Sequence, residues 1–295
     1  MGAQLSVYAT QPKLANVHGL QGFSGIYMVT GLLTRFDPRG YPYLAIELSD
    51  NQATISVCCF SPEREMPPIV AFQWVGVQVN YQSIQGFPHF RCEAIDLNPD
   101  VMVVNDRVSL LPYKYSCNVS HLSALRYLVN SIRCDALRDT VEMVLVQPDV
   151  TLPFLSCPAS LNYHHNYRGG LLEHSLEVAR LMLMDNSLSQ YERDLAVAIA
   201  LFHDIGKTLT LTPDMTRTAL GTLVDHSDLN LEVCGPALKY LSYQYVIKAN
   251  QIRHAITCSS ENSRYGFAAN TKLAKLLRRA DRLSAEGYFL TNEIN

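Results

Sequence analysis

Residues 201–208 read LFHDIGKT and place two polar side chains, His203 and Asp204, at the end of an apolar run. In residues 190–204 the apolar positions recur at helical spacing, and His203 follows Ile199 by four positions. His203 therefore falls on the buried face of a predicted helix. Burying an imidazole or a carboxylate is costly unless it has a partner. The stretch thus predicts a helical fold with a polar site inside it.

Two further polar residues interrupt apolar stripes in the same half of the chain. His174 lies in GLLEHSLEVARLM (170–182), and Asp281 lies in LLRRADRLSA. Each of these residues taken alone is explained equally well by local hydrogen bonds. Six of the nine histidines, however, lie between positions 164 and 254, which favours a shared site. Imidazole nitrogens and carboxylate oxygens are the ligands that a divalent cation accepts, and its charge would offset the cost of burying Asp204 and Asp281.

The composition restricts the classes of partner. The chain has 295 residues, 48% hydrophobic and 17% charged, with a net charge of -3, so it has no overall attraction to nucleic acid or to an anionic membrane. Phosphate binding must then come from a local patch or a metal. No apolar run approaches the roughly 20 residues of a membrane helix, and the first residues do not resemble a signal peptide. The eight cysteines form no CxxC pair, and we expect a cytoplasmic protein without membrane contact.

The periodicity changes near residue 98. Residues 22–98 alternate five β-rich runs with turn signals, which predicts a small OB-like barrel, with an SH3-like barrel as an alternative. Apolar residues recur at helical spacing over 119–295. We therefore predict a two-domain chain, β then α, with an N-terminal tail (1–21), a barrel (22–98), a linker (99–118) and an all-helical bundle (119–295).

The ordered set of His174, His203-Asp204 and Asp281 resembles the H…HD…D signature of the HD superfamily of metal-dependent phosphohydrolases. The surrounding segments CPASLNYHHNYRGGLLEHSLEVARL, LFHDIGKTLTL, VDHSDL and LLRRADRLSAE are most similar to bacterial YhaM-type 3′-to-5′ exoribonucleases, which carry an OB-like domain ahead of an HD domain. The segment HHNYRGGLLEH also resembles the HD domain of TraI-type proteins of conjugative elements.

The resemblance implies that these four residues are the primary metal ligands. His226 matches a histidine that serves a second metal ion in some family members, with Asp204 bridging the two ions. His254 aligns with a further histidine of the exonucleases. The His-His pair expected about five residues later is replaced by Ser259-Ser260. One ion and two ions therefore both remain open, with Mn²⁺ as the expected metal and Mg²⁺, Fe²⁺, Co²⁺ or Ni²⁺ as alternatives.

The function implied by the resemblance is 3′-to-5′ exonuclease activity on single-stranded RNA, with DNA as a second substrate. Asp204 and Lys207 are the expected catalytic residues. Lys207 would offset the charge of the scissile phosphate, although a lysine at a helix end also has an electrostatic role of its own. Arg168, His164 and His165 precede or flank a Gly-Gly turn and are candidates for substrate contact.

The predicted barrel supplies the remaining substrate candidates. OB-like folds bind single strands through aromatic stacking and scattered basic residues. The candidates are Arg35, Tyr41 and Tyr43, together with Phe36, Arg39, Trp74 and Arg91.

Two other functions remain open at this stage. One is an HD phosphohydrolase that acts on a nucleotide or cyclic nucleotide. The other is a TraI-like protein that processes or binds single-stranded DNA with weak or no turnover. The family also allows a homo-oligomer.

Overall fold

The computed structural model describes residues 11–60, 68–84, 87–258 and 266–287, apart from the side chains of residues 84, 87 and 88. The chain divides into two compact units, residues 1–115 and residues 116–295. The first unit is built of β-strands and the second of α-helices, which is the predicted order of β then α.

The strands of the first unit form a closed barrel. They are β1 (Gly22–Phe36), β2 (Pro42–Ser49), β3 (Thr54–Cys59), β4 (Trp74–Ile84) and β5 (Phe87–Asp96). Their order around the barrel is β1-β2-β3-β5-β4, and neighbours are antiparallel except for β3 and β5, which are parallel. A five-stranded barrel at this place in the chain was predicted, and the structure confirms it.

The long first strand closes the barrel. Residues 22–28 of β1 pair with β4, whereas residues 28–36 pair with β2. A register shift between Val29 and Gly31 bends the strand between these two partners. A Cβ atom on Gly31 would lie 2.5 Å from Glu47 Oε2, so a larger residue here would displace the Glu47 side chain. Alternate side chains of the strands fill the interior, among them Tyr27, Val29, Ile46, Leu48, Val57, Val75, Val77 and Val79.

Segments outside the strands also pack into the first unit. Part of the predicted tail forms a 3₁₀ helix (Leu14–Gly19), and its Leu14 N–H donates to Asp50 Oδ2 at 2.8 Å. The first part of the predicted linker contains three short 3₁₀ helices between residues 101 and 115. Tyr113 N–H donates to the backbone oxygen of Asp50 at 2.9 Å. Asp50 therefore ties both flanking segments to the barrel.

The described part of the second unit is a bundle of helices. They are α1 (Val119–Ser131), α2 (Asp135–Leu145), α3 (Pro148–Ser156), α4 (Gly170–Leu183), α5 (Gln190–Phe202), the single turn α6 (Lys207–Thr210), α7 (His226–Thr257) and α8 (Lys272–Ala285). Among the described residues, no helix has the length and apolar character to cross a membrane.

Helix α5 lies at the centre of this bundle. Ser189 and Glu192 form a capping box at its start, where each side chain bonds the backbone N–H of the other residue. Every residue from 194 to 202 is buried, because α4, α7 and α8 all pack against this helix. The C-terminal end of α5 therefore delivers His203 and Asp204 to the interior.

Helix α7 is interrupted near its middle. We predict two helices, over residues 228–241 and 247–257, and the structure confirms a break between them, with two helical segments meeting at a kink. The kink lies at Tyr245, whose φ of -134° and ψ of 59° are not helical.

Candidate metal centre

Helix α4 presents His174 to the interior because of how its first turn is built. Gly169 precedes the helix with φ of +84°, a left-handed conformation that favours glycine. A Cβ atom on Gly170 would lie 2.2 Å from the backbone oxygen of His165, so the helix can start here only because residue 170 is glycine. His174 then faces inward one turn later and is fully buried.

The turn after α5 is fixed by a residue of α7. Asn230 is 1% exposed, and its Nδ2 donates to the backbone oxygen of His203 at 2.5 Å. Its Oδ1 accepts from the N–H of Gly206 at 2.8 Å. A Cβ atom on Gly206 would lie 2.1 Å from the backbone oxygen of His226. Asn230 therefore clamps the turn that carries His203 and Asp204, and Gly206 lets α7 approach closely enough for the clamp to form.

Side chains from α4, the α5 end and α8 meet at one point. His174 Nε2 lies 3.2 Å from His203 Nε2, 3.2 Å from Asp281 Oδ1 and 3.5 Å from Asp204 Oδ2. His203 Nε2 lies 3.5 Å from Asp204 Oδ2 and 3.8 Å from Asp281 Oδ1. With metal–ligand bonds of 2.0–2.2 Å, neighbouring ligand atoms around one cation lie about 3.0–3.6 Å apart. Three of the four residues predicted as primary ligands, His174, His203 and Asp281, form a group that could hold one metal ion, and Asp204 Oδ2 lies 3.5 Å from both imidazoles.

Hydrogen bonds on the far sides of the two imidazoles set their tautomers. His203 Nδ1 lies 2.8 Å from the backbone oxygen of Ala200, which can only accept, so Nδ1 carries the proton. Ser284 Oγ donates to Glu177 Oε2 at 2.7 Å and therefore accepts from His174 Nδ1 at 3.0 Å. Both Nε2 lone pairs then point toward the centre of the cluster, which is the arrangement that suits a bound cation.

Electrostatics also keep the ligands in their metal-binding forms. Burial alone would raise the pKa of Asp204, but the nearby Lys207 and His203 lower it well below its usual range. The pKa of Asp281 is lowered as well, because the effect of burial is outweighed by His174 and His203. Burial lowers the pKa of His174, so its imidazole is neutral at pH 7. The carboxylates are charged and His174 is free of a second proton, as metal binding requires.

Asp204 has two further partners, one at each carboxylate oxygen. Asp204 Oδ1 lies 3.3 Å from His226 Nε2, and Lys207 Nζ lies 2.5 Å from Oδ2. His226 is thus placed beside the carboxylate that would bridge two ions. His254 Nε2 accepts from the N–H of Asn270 at 3.4 Å and does not belong to the ligand groups found among the described residues. Ser259 and Ser260 lie outside the described residues, so a second metal ion stays a prediction.

A loop that contains His164, His165 and Tyr167 borders the cluster. The ring of His164 lies 5.1 Å from that of His174, centroid to centroid, and burial together with neighbouring basic groups lowers the pKa of His164 to about 4. His165 bonds Tyr167 at 2.8 Å and Glu177 at 3.0 Å, and therefore holds the loop against α4. Arg168 is exposed, and its role in substrate binding remains a prediction.

Sequence reasoning missed three residues of this site: Asn230, Glu177 and Ser284. Asn230 had a detectable signal, because it is a polar residue flanked by Leu229 and Leu231 near the start of a predicted helix. Glu177 and Ser284 had none, since their roles depend on contact with each other across 107 positions.

On the barrel, two aromatic rings and an arginine side chain lie in contact. Tyr43 stacks on Phe60 with ring centroids 4.8 Å apart, and Arg91 lies over Phe60 at 5.6 Å. Arg35 is exposed and pairs in register with Tyr43 across β1 and β2. Phe60 is a member that the sequence did not reveal.

The other aromatic candidates divide into surface and core. Tyr41 and Phe36 are exposed, at 60% and 68%, so both are available for contact with a ligand. Trp74 is buried at 6% exposure and belongs to the core.

With this geometry established, comparison with known proteins shows what the helical unit is similar to. Residues 171–286 match the HD domain family. The matched region contains all four residues predicted as primary ligands. A stretch of 116 residues is also 36% identical to a dihydroneopterin 2′,3′-cyclic phosphate phosphodiesterase of Methanocaldococcus jannaschii. The alignment covers 35% of this chain and 45% of that protein, so the chain matches less than half of the relative's length.

Together the HD domain, the related phosphodiesterase and the ligand geometry support a metal-dependent phosphohydrolase. The family match begins after the barrel and therefore carries no information about it.

Proposed function

We propose that this protein is a metal-dependent phosphodiesterase that shortens single-stranded nucleic acid from its 3′ end, with RNA as the main substrate. The observation that carries the proposal is the convergence of His174, His203, Asp204 and Asp281 at coordination distances within the HD domain. The chemistry that a divalent ion supplies when bound is Lewis-acid activation of water as the nucleophile.

The chain's own residues account for the other requirements of phosphodiester hydrolysis. Lys207 lies beside Asp204 with its side chain largely buried, and its charge would stabilise the negative phosphate next to the ligands. His226 is partly exposed at 32% of its side-chain surface and contacts the other carboxylate oxygen of Asp204, Oδ1. It can contact either a second ion or the substrate.

The preference for a nucleic acid rests on the barrel. A barrel of this topology with Tyr43, Phe60 and Arg91 in contact, and Tyr41 exposed nearby in sequence, has the features with which OB-like folds stack successive bases. Because the net charge is -3, we expect the affinity to be modest and to fall with added salt.

The proposed ion is Mn²⁺. The group of His174, His203 and Asp281, with Asp204 beside it, offers both nitrogen and oxygen ligands, which suits Mn²⁺ and its first-row neighbours better than Mg²⁺ or Ca²⁺, which prefer oxygen ligands alone.

A second candidate function is hydrolysis of a small cyclic phosphate or nucleotide. The named activity of the Methanocaldococcus jannaschii relative favours it, since that protein is called a cyclic phosphate phosphodiesterase. The two functions use the same metal centre and differ in whether the barrel contributes to substrate binding.

A 5′-labelled single-stranded RNA separates the candidates. With Mn²⁺ we expect a ladder of progressively shorter labelled products, abolished by Asp204→Asn. Intact RNA and DNA together with hydrolysis of 2′,3′-cyclic nucleotides would favour the second candidate. If the protein binds single strands but hydrolyses neither nucleic acid nor cyclic nucleotides with any divalent ion, both enzymatic functions are ruled out and a binding protein remains.

A further inference from the structure

A cavity of about 200 Å³ adjoins the metal centre on one side of Asp204. Two of its lining residues, Lys207 and His226, contact Asp204 directly, at 2.5 Å and 3.3 Å. A group that fills the cavity is therefore next to the ligands without replacing them.

One wall of the cavity is a loop held by its own hydrogen bonds. The N–H of Ala159 donates to the backbone oxygen of His165 at 3.0 Å, and the N–H of Tyr163 donates to Ser160 Oγ at 2.7 Å. The side chain of Tyr163 is 77% exposed at the cavity, although its backbone is fixed. An aromatic ring on an anchored backbone is a ready stacking surface.

The opposite wall is a short hairpin after α6. Leu211 and Arg217 form an antiparallel bridge, and Arg217 Nη1 donates to the backbone oxygen of Gly221 at 2.8 Å. A Cβ atom on Gly221 would lie 2.2 Å from the backbone oxygen of Thr210, so glycine permits this packing. Arg217 uses one of five N–H donors in this contact and keeps others for a ligand. Both walls are therefore formed before any ligand binds.

The chemistry of the lining specifies an anion with a flat ring. Lys207 and Arg217 supply two positive charges, against the carboxylate of Asp225 in the lining and that of Asp204, which pairs with Lys207 at 2.5 Å. With a volume of about 200 Å³, the cavity can receive a ring with its substituents.

We propose that this cavity holds the terminal nucleotide of the strand. The base of this nucleotide would stack on Tyr163 and its phosphate would face Lys207. Arg217 would lie beside the other polar groups of the nucleotide. The inference rests on the proposed exonuclease function. Water attacks the phosphorus, the bond from phosphorus to the O3′ of the preceding residue breaks, and that O3′ takes up a proton. The terminal nucleotide leaves as a 5′-monophosphate, and each cleavage releases one nucleotide.

Binding of the product tests this assignment. We expect 5′-UMP to bind the Mn²⁺-loaded protein in calorimetry. Tyr163→Ala should weaken binding on the order of tenfold, since stacking on one aromatic side chain is worth about 1–3 kcal/mol. Arg217→Gln should weaken binding by a similar factor, because it removes a positive charge from the cavity. Tyr243→Ala and Lys239→Gln are matched controls, because both residues are exposed on α7 and line no part of the cavity. Both controls should bind UMP as the wild type does.

The outcomes distinguish this inference from the function on which it rests. If UMP binding depends on Tyr163 and Arg217 but RNA stays intact, the cavity assignment holds and the exonuclease proposal fails. If RNA is shortened while UMP does not bind, or binds both variants as tightly as the controls, the cavity assignment is wrong. Release of dinucleotides in place of mononucleotides would also overturn it.

Discussion

His174 and His203 direct their Nε2 atoms at each other across 3.2 Å, while each ring uses Nδ1 to donate a hydrogen bond elsewhere. Two lone pairs at this distance repel unless a cation lies between or beside them. The surrounding carboxylates of Asp204 and Asp281 add negative charge at the same point. A divalent ion bound at this point would be stabilised by both imidazoles and by the two carboxylates.

Metal binding should accordingly stabilise the fold. Because an ion that binds only the folded state stabilises it in proportion to the logarithm of its concentration, a Mn²⁺ concentration 100 times the dissociation constant should add about 2.7 kcal/mol to the free energy of unfolding. Chelation should reverse the gain. Thermal unfolding with increasing Mn²⁺ measures it, and Asp281→Asn should reduce the response. A transition temperature that does not depend on Mn²⁺ in the wild type would contradict this expectation.

Glu177 should tune the affinity of the metal through Ser284 and His174. Burial would raise the pKa of Glu177, but hydrogen bonds from His165 and Ser284 lower it, so the side chain is charged. It therefore polarises the relay of hydrogen bonds from His174 through Ser284 to Glu177. We expect Glu177→Gln to weaken Mn²⁺ binding about 10- to 100-fold, the usual effect of losing a partner behind a ligand histidine. Calorimetric titration with Mn²⁺ measures this change.

The control for Glu177 is Glu232→Gln, an exposed residue of α7. It removes the same charge without touching the relay. Equal Mn²⁺ affinities for the two variants would show that Glu177 does not act on His174.

Asn230 should matter for stability and for the metal centre together. Asn230→Ala removes both partners of the clamp and leaves the His203 carbonyl and the Gly206 N–H buried without hydrogen bonds, at a cost of about 1–3 kcal/mol each. Urea unfolding measures the loss in the absence of metal, and Asn250→Ala, on the exposed side of α7, is the matched control. The prediction fails if the two variants unfold at the same urea concentration.

His164 should make the metal-free protein sensitive to acid. Its pKa of about 4 in the folded chain lies below the value of about 6.5 for a histidine in an unfolded chain. Between these values the unfolded chain binds a proton that the folded chain does not, so the free energy of unfolding falls as the pH is lowered from about 6.5 to 4.

The slope in this window should be smaller in His164→Gln than in the wild type, measured by urea unfolding in EDTA. Asn166→Ala changes an exposed residue of the same loop that does not titrate, and it should keep the wild-type slope. A slope in His164→Gln as steep as in Asn166→Ala would contradict the assignment.

How far the sequence predicted the structure depended on whether a feature is local. The predicted ligands His174, His203 and Asp281 were identifiable because each is a polar residue on the apolar face of a helical repeat. His174 and His203 are buried as predicted, whereas 36% of the Asp281 side chain is exposed. The barrel strands were identifiable from turn residues and β-rich runs. The structure confirms the five-stranded barrel and brings these ligands together.

Other features were not identifiable, because their causes lie far away in the chain. Ser284 and Glu177 are ordinary polar residues until α4 and α8 pack together. By contrast, the break in α7 was identifiable, because the exposed side chains of Tyr243, Val246 and Ile247 interrupt the apolar stripe where the helix kinks at Tyr245. Phe60 lies just beyond β3, and only the register of the sheet places it on Tyr43.

The central claim is that the HD domain hydrolyses phosphodiesters with a metal held by His174, His203, Asp204 and Asp281. Its most direct test is the hydrolysis rate of bis(p-nitrophenyl) phosphate as a function of the number of Mn²⁺ ions bound per chain, because this diester does not depend on recognition by the barrel. We predict a rate that rises with occupancy, falls to background in EDTA and is lost in Asp204→Asn. Hydrolysis that persists at the same rate in EDTA, or a fully occupied protein that leaves the diester intact, would contradict the claim.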